Sequence, residues 1–144
     1  MHDRGYAIGE AARATGVKVP TIRYYEGIGL MPPVPRNAGN RRLYDAAGLR
    51  RLAFIRHARE LGFDVEAIRT LLSLQDQPGQ SCAAADAIAR ARLVEVDERI
   101  ARLTALRAEL ERMVAQCARG RIDECRVIET LADSGHDHGR LADA

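Results

Sequence analysis

The sequence predicts a mainly α-helical protein, with a winged helix-turn-helix in its first half and a long coiled-coil helix in its second. Aromatic residues make up only 4% of the 144-residue chain and Trp is absent, while Ala, Leu and Arg are abundant. This composition favours helices over sheets. Short periodic segments in the first half are separated by Gly and Pro. Residues 81–116 contain neither breaker and repeat apolar residues every three or four positions, as a coiled-coil helix does.

Two short helices joined by a tight turn are predicted first. Residues 6–15 place apolar side chains on one face, and Gly16 supplies the stop. Pro20 suits the first turn of a second helix, because the hydrogen that its nitrogen lacks has no acceptor there. This order predicts a helix-turn-helix. The breaker-rich stretch 29–40 then favours a short β-wing carrying arginines.

Two further helices complete a first domain at residues 1–75. Asp45 can cap a helix over residues 46–60, which ends before Gly62. Asp64 can cap the next helix, whose apolar face includes Ile68 and Leu72. This domain carries 12 Lys and Arg against 7 Asp and Glu, a balance of +5, whereas residues 76–144 carry 10 against 13, a balance of −3. A basic first half suggests a surface that binds a polyanion.

The cysteines are expected in a reducing compartment. The N-terminus lacks the apolar stretch of a signal peptide, and no run of about 20 apolar residues could cross a membrane. We therefore expect a cytoplasmic protein with no membrane partner. Disulfides are disfavoured there, and the chain has three cysteines, an odd number. Metal binding or thiol chemistry is the better use for them.

The long helix predicts a homodimer. After a linker at 76–80, residues 81–116 carry one apolar stripe, interrupted by Arg107, on an otherwise charged helix. A stripe of this length must be buried, and little sequence remains to cover it within one chain. A bundle helix within a single chain is the alternative. The stripe comprises Leu93, Val96, Ile100, Leu103, Leu110, Val114 and Cys117, with Leu106 and Met113 beside it.

The helix length separates two of the three cysteines. Cys82 and Cys117 are 35 residues apart, which is roughly 50 Å of α-helix. In an antiparallel dimer, Cys82 of one subunit would instead approach Cys117 and Cys125 of the other, giving two symmetric sites. Three thiolates suit soft or borderline ions. The segment 117–131 is then predicted to be a metal-binding loop with a short helix, and 132–144 a flexible tail. In this tail, His136 and His138 either bind metal as auxiliary ligands or have no such role.

Candidate DNA contacts cluster in the first domain. Arg23 on the second helix can read base edges or bind phosphate, and the neighbouring tyrosine hydroxyls suit phosphate oxygens. Arginines in the wing and on the next helix would add phosphate contacts. The predicted contacts are Lys18, Thr21, Arg23, Tyr24, Tyr25, Arg36, Arg41, Arg42, Tyr44, Arg56 and Arg59.

The sequence resembles the MerR family of transcription regulators over residues 6–131. The resemblance is carried by Ile8-Gly9-Glu10-Ala11-Ala12, Gly16-Val17, Thr21-Ile22-Arg23-Tyr24-Tyr25-Glu26, Gly29-Leu30, Arg36, Arg42-Leu43-Tyr44 and Leu61-Gly62-Phe63. It implies a dimer on double-stranded promoter DNA that represses without metal. With metal, such a dimer distorts the duplex so that RNA polymerase can engage it, activating a metal-resistance or efflux promoter.

The resemblance also bears on the metal. In this family a cysteine at the position of Cys82 marks sensors of divalent Zn, Cd, Pb or Hg, where copper sensors carry Ser. The seven residues between Cys117 and Cys125 instead resemble the copper-type loop. A Cu(I) sensor and a thiol redox switch on the same fold are therefore alternatives.

An enzyme is not expected, because no Cys-x-x-Cys, Ser/His/Asp grouping or Gly-rich phosphate loop is present. A metal-storage protein would not need the arginine wing.

Overall fold

The computed structural model describes residues 5–39, 43–116 and 120–141, and it is mainly helical, as the sequence predicts. The chain divides into two compact units, residues 1–85 and residues 86–144. No helix in the described ranges is both long and apolar enough to cross a membrane. The helices are α1 (Ile8–Thr15), α2 (Val19–Gly27), α3 (Ala46–Glu60), α4 (Val65–Gln75), α5 (Ala83–Gln116) and α6 (Arg126–Ala132), with a 3₁₀ turn at Ile122–Glu124 before α6.

The turn between α1 and α2 depends on Gly16. Gly16 adopts φ +74°, and its amide donates to the Ala12 carbonyl at 2.8 Å, which ends α1. A Cβ atom at this position would lie 3.1 Å from the guanidinium carbon of Arg56. Pro20 lies in the first turn of α2, where its lack of an amide hydrogen costs nothing. This geometry places α2 directly after α1, as a helix-turn-helix requires.

Helix α1 begins two residues later than the sequence predicts, because Tyr6 pairs with Tyr44 instead. The two residues exchange backbone hydrogen bonds of 2.7 and 2.8 Å in an isolated antiparallel bridge. The Leu43 amide also donates to the Pro35 carbonyl at 2.9 Å, which brings the ends of the wing segment together. In the described part of the chain, pairing here is limited to short bridges, and no extended strand forms.

Helices α3 and α4 start at aspartate caps and supply much of the core. The Asp45 side chain accepts from the Gly48 amide at 2.7 Å, and the Asp64 side chain accepts from the Ala67 amide at 2.8 Å. The largest fully buried side chains in this unit come from α2, from the segment between α2 and α3, and from α3 and α4. They are Ile22, Leu30, Met31, Tyr44, Leu52, Ile55, Ile68 and Leu72.

The second unit is built around α5. Ser81 accepts from the Ala83 amide at 3.1 Å, so the helix begins just after the predicted start. Arg126 at the start of α6 donates to the Gln116 side chain at 2.8 Å. Met113 and Thr130 are buried in the same unit. Most of the apolar stripe on α5 is open: Leu93, Ile100, Leu103, Leu110 and Val114 are each at least half exposed, while Val96 and Leu106 are half-buried.

Candidate DNA-binding surface and metal ligands

Helix α2 and the residue that caps its start present three polar side chains to solvent. Lys18 and Arg23 are exposed, and Tyr24 is 56% exposed. Thr21 is half-buried, and Tyr25 is buried with its ring centroid 5.9 Å from that of Tyr24. The outward face of α2 can therefore offer a guanidinium and a phenol to a duplex, and the capping Lys18 adds an ammonium, while Tyr25 mainly fills the core.

A shallow basic depression lies beside the turn between α1 and α2. It encloses about 340 Å³ and brings Lys18 and Thr21 together with Arg56 and Arg59 of α3. Both arginines also hold the backbone: Arg56 donates to the Thr15 carbonyl at 3.3 Å, and Arg59 donates to the Phe63 carbonyl at 2.9 Å. Arg56 is further paired with Glu60 at 3.1 Å, so part of its charge is already compensated.

Tyr44 is not at this surface, although the sequence suggests it as a DNA contact. Its side chain is fully buried, and its hydroxyl donates to the Glu26 carboxylate of α2. A buried phenol cannot touch a duplex in this conformation, so Tyr44 instead ties the end of the wing to α2. In the wing itself Arg36 is exposed, whereas Arg41 and Arg42 lie outside the described residues.

The three cysteines fall at three separate places in the chain. Cys82 is exposed and directly precedes α5, and Cys125 is half-buried at the start of α6. Neither is in a disulfide. The Cys125 amide donates to the Ile122 carbonyl at 3.0 Å, and its carbonyl accepts from Glu129 at 2.9 Å, so its backbone is fixed between the 3₁₀ turn and α6. Cys117 lies outside the described residues.

The histidine tail contacts α5 instead of extending freely. His136 Nε2 lies 2.5 Å from Oε1 of Glu109, a buried carboxylate that also accepts from Arg112. The hydrogen bond from Arg112 and then that from His136 lower the pKa of Glu109 below its usual value. The His138 ring lies 5.2 Å from that of His136. In the described ranges, no three His, Cys, Asp or Glu side chains come close enough to hold a metal ion.

Four polar residues with clear structural roles were not identified from the sequence. They are Glu26, Arg51, Arg69 and Glu109. Each sits on a helix, and its partner comes from a part of its unit that is distant in sequence. Helical periodicity places them on a face, but it does not indicate which carbonyl, phenol or imidazole will meet them.

Comparison with known proteins identifies the family. Residues 6–75 match the family described as MerR HTH family regulatory protein, and residues 49–113 match the one described as MerR, DNA binding. The HTH-type transcriptional regulator HmrR of Rhizobium leguminosarum bv. viciae is 40% identical over 126 residues, which cover 88% of this chain and 97% of HmrR. The chain belongs to the MerR family.

Other MerR-family proteins match at similar levels. The HTH-type transcriptional regulator ZntR of Escherichia coli K12 is 44% identical over 113 residues, which cover 78% of this chain and 80% of ZntR. Among solved structures, the transcription regulator PbrR691 of Ralstonia metallidurans CH34, in complex with lead(II), is 36% identical with a TM-score of 0.76. That match covers 88% of this chain and 99% of PbrR691.

Membership of the MerR family confirms the fold and the general function that the sequence predicts. MerR-family regulators are not enzymes, and they act as dimers on promoter DNA. The present chain is a DNA-binding, metal-responsive regulator of transcription on a winged helix-turn-helix with a long following helix.

Proposed function

We propose that this regulator senses a soft divalent ion at two equivalent sites, each formed by Cys82 of one subunit with Cys117 and Cys125 of the other. The observation that carries the proposal is the unbroken helix α5, Ala83–Gln116. Cys82 directly precedes this helix and Cys117 directly follows it. At about 1.5 Å per residue, a helix of this length separates its two ends by roughly 50 Å. One ion could bind both cysteines only if they came from different subunits.

The exposed stripe on α5 supports an antiparallel pairing of the two helices. Leu93 in the first half of the helix and Val114 near its end are 57% and 72% exposed, and Ile100 between them is 55% exposed. The stripe is interrupted once, by Arg107, which pairs with Glu111 of the same helix at 3.0 Å. Antiparallel packing would bury the stripe and bring the start of each helix to the end of the other.

The thiols present fit a soft ion. Cys82 is exposed and lies beside the N-terminal end of a 34-residue helix, whose dipole favours a thiolate there. The backbone of Cys125 is fixed by its two hydrogen bonds, which reduces the ordering that ligation requires. Thiolate ligands select soft and borderline ions over hard ones. A bound ion would supply bonds that join the two subunits at each end of the dimer.

The regulatory step would act through the shape of the DNA. The two DNA-binding domains of the dimer, one per subunit, would each hold phosphates of the promoter, with a stretch of duplex between them. Without metal the dimer would hold a silent form of the promoter. A change in the relative pose of these domains would bend and untwist the intervening duplex so that RNA polymerase could engage it. The shift requires that metal bind the activating arrangement more tightly than the repressing one. We expect this to occur in the cytoplasm, at a metal-resistance or efflux promoter.

The presence of Cys82 favours Zn, Cd, Pb or Hg over Cu(I). A third thiolate suits divalent ions, which take three or four ligands. The similarity to a lead(II)-bound regulator supports the same choice. His136 is engaged with Glu109 and would have to leave that carboxylate to act as an auxiliary ligand, with or without His138.

Mixed dimers test the intersubunit arrangement directly. A dimer of one Cys82→Ser subunit and one Cys117→Ser subunit keeps one complete site if the ligands come from both subunits, because the intact Cys82 then faces the intact Cys117. The expected result is one ion for the mixed dimer, two for the unmodified dimer and none held with comparable affinity by either variant homodimer. Loss of both sites in the mixed dimer would mean that each site lies within one subunit.

A metal panel tests the ion. Binding of Zn, Cd, Pb, Hg and Cu(I) to the purified dimer would be measured together with transcription from a metal-regulated promoter. Stronger activation by Cu(I) than by every divalent ion would refute the divalent proposal. A response to peroxide that survives Cys82→Ser, while every metal response is lost, would favour the thiol redox switch.

A further inference from the structure

Two arginines from later helices hold the segment that follows α2. Arg51 of α3 donates from Nε to the Leu30 carbonyl at 2.7 Å. Arg69 of α4 donates from Nη2 to the Ile28 carbonyl at 2.9 Å. The two bonds join residues 21 and 41 positions apart in the sequence. Residues 28–31, which we call the joint, are thereby attached to both helices of the α3–α4 pair.

The joint is also tightly fixed to α2. The amides of Leu30 and Met31 both donate to the Tyr25 carbonyl, at 2.9 and 3.2 Å, and both side chains are almost fully buried. Gly29, which precedes them, adopts φ +80°, and a Cβ atom there would lie 3.4 Å from Nη1 of Arg69. The guanidinium of Arg69 thus packs against the joint as well as bonding to it. Any displacement of the joint would move the end of α2.

The joint connects the two parts of the DNA-binding surface. It directly follows the helix that carries exposed Arg23 and Tyr24, and it forms the start of the wing segment, which carries exposed Arg36 further on. We infer that Arg51 and Arg69 are positioning residues for DNA binding. They hold α2 and the wing in one orientation on the α3–α4 pair, and their guanidinium groups act on the protein backbone, not on phosphate.

Each guanidinium supplies a hydrogen-bond donor to a backbone carbonyl that has no partner within a helix. Carbonyls just beyond a helix C-terminus lack helical partners and carry partial negative charge, so a charged donor binds them strongly. Without that donor the joint would be held on one side only. Phosphate and base contacts depend on placement to within about an ångström, as catalytic contacts do. Loss of one charge-assisted hydrogen bond is expected to weaken duplex binding about tenfold.

The test compares Arg51→Ala and Arg69→Ala with matched controls on the same helices. Arg50→Ala removes an exposed positive charge from α3, and Thr70→Ala changes an exposed neighbour on α4. The probe is a duplex selected from a random-sequence pool by the unmodified dimer. Its affinity would be measured over a series of salt concentrations, at a temperature at which circular dichroism shows every variant fully folded.

The expected result is about tenfold weaker binding for each of the two variants, with an unchanged slope of log affinity against log salt. A slope that is shallower by about one would mean that the arginine contacts a phosphate directly, and would overturn the inference. Unchanged affinity in a fully folded variant would show a role in stability alone, and would overturn it as well. Arg51→Lys and Arg69→Lys keep the charge and are expected to bind between the Ala variants and the unmodified protein. If an Ala variant does not fold, the test rests on the Lys variant at the same position. The inference then requires that this variant bind the duplex more weakly than the unmodified protein does, with the same salt slope.

Discussion

Replacing Tyr44 by Phe separates a core role from a DNA contact. The substitution removes only the hydroxyl that donates to the Glu26 carboxylate, and it keeps the fully buried ring. A hydrogen bond to a charged group contributes about 1.5–3 kcal/mol. Glu26 is half-buried, so water can replace part of the lost interaction, and we expect the lower end of that range. For a unit of this size, each 1 kcal/mol lost from the free energy of unfolding lowers Tm by about 4–8 °C.

The assay is urea unfolding at a fixed subunit concentration, followed by duplex binding under conditions in which the variant is fully folded. Tyr24→Phe is the matched control, because Tyr24 is 56% exposed on α2. It is expected to change stability by less than about 0.5 kcal/mol and to weaken duplex binding. Unchanged stability of Tyr44→Phe, together with weaker binding, would refute the assignment of Tyr44 to the core.

Three further predictions concern the turn, the tail and the dimer. Gly16→Ala should lower the free energy of unfolding by about 1 kcal/mol in urea, because φ is +74° and the new Cβ would crowd Arg56; equal stability would contradict this. The stabilisation that Glu109 contributes should be complete above its usual pKa of 4.5 and lost as the pH falls through its lowered value in the folded protein. The free energy of unfolding of Glu109→Gln should therefore depend less on pH in that acidic range than that of the unmodified protein. The same pH profile for both proteins would argue against the contact with Arg112. Leu110→Asp should raise the dimer dissociation constant at least about 100-fold by analytical ultracentrifugation, whereas an intact dimer would place the interface elsewhere.

Local rules account for most of the helices. Asp45 and Asp64 mark the starts of α3 and α4, and Gly16 marks the end of α1, because capping and left-handed turns depend on residues close in sequence. The absence of breakers between positions 81 and 116 indicates one long helix for the same reason. The family resemblance then links these elements to DNA and to metal.

Contacts between distant residues could not be predicted in this way. The sequence suggests Tyr44 as a DNA contact, but the partner of its hydroxyl is Glu26, 18 residues earlier. The sequence favours a flexible tail, but His136 meets Glu109, 27 residues earlier. Such pairs depend on how helices pack, and neither periodicity nor charge reveals which of several similar side chains will meet.

Because the stripe on α5 is open in the single chain, the stability of the regulator would depend on its concentration in the cell. Leu103 and Leu110 are each about half exposed in the single chain, at 51% and 50%, and the proposed antiparallel dimer would bury them. Newly made subunits at low concentration would therefore present an apolar surface to proteases and chaperones until they meet a partner. A modest fall in synthesis would then reduce the number of promoter-competent dimers more than proportionally, since dimer formation depends on the square of the subunit concentration.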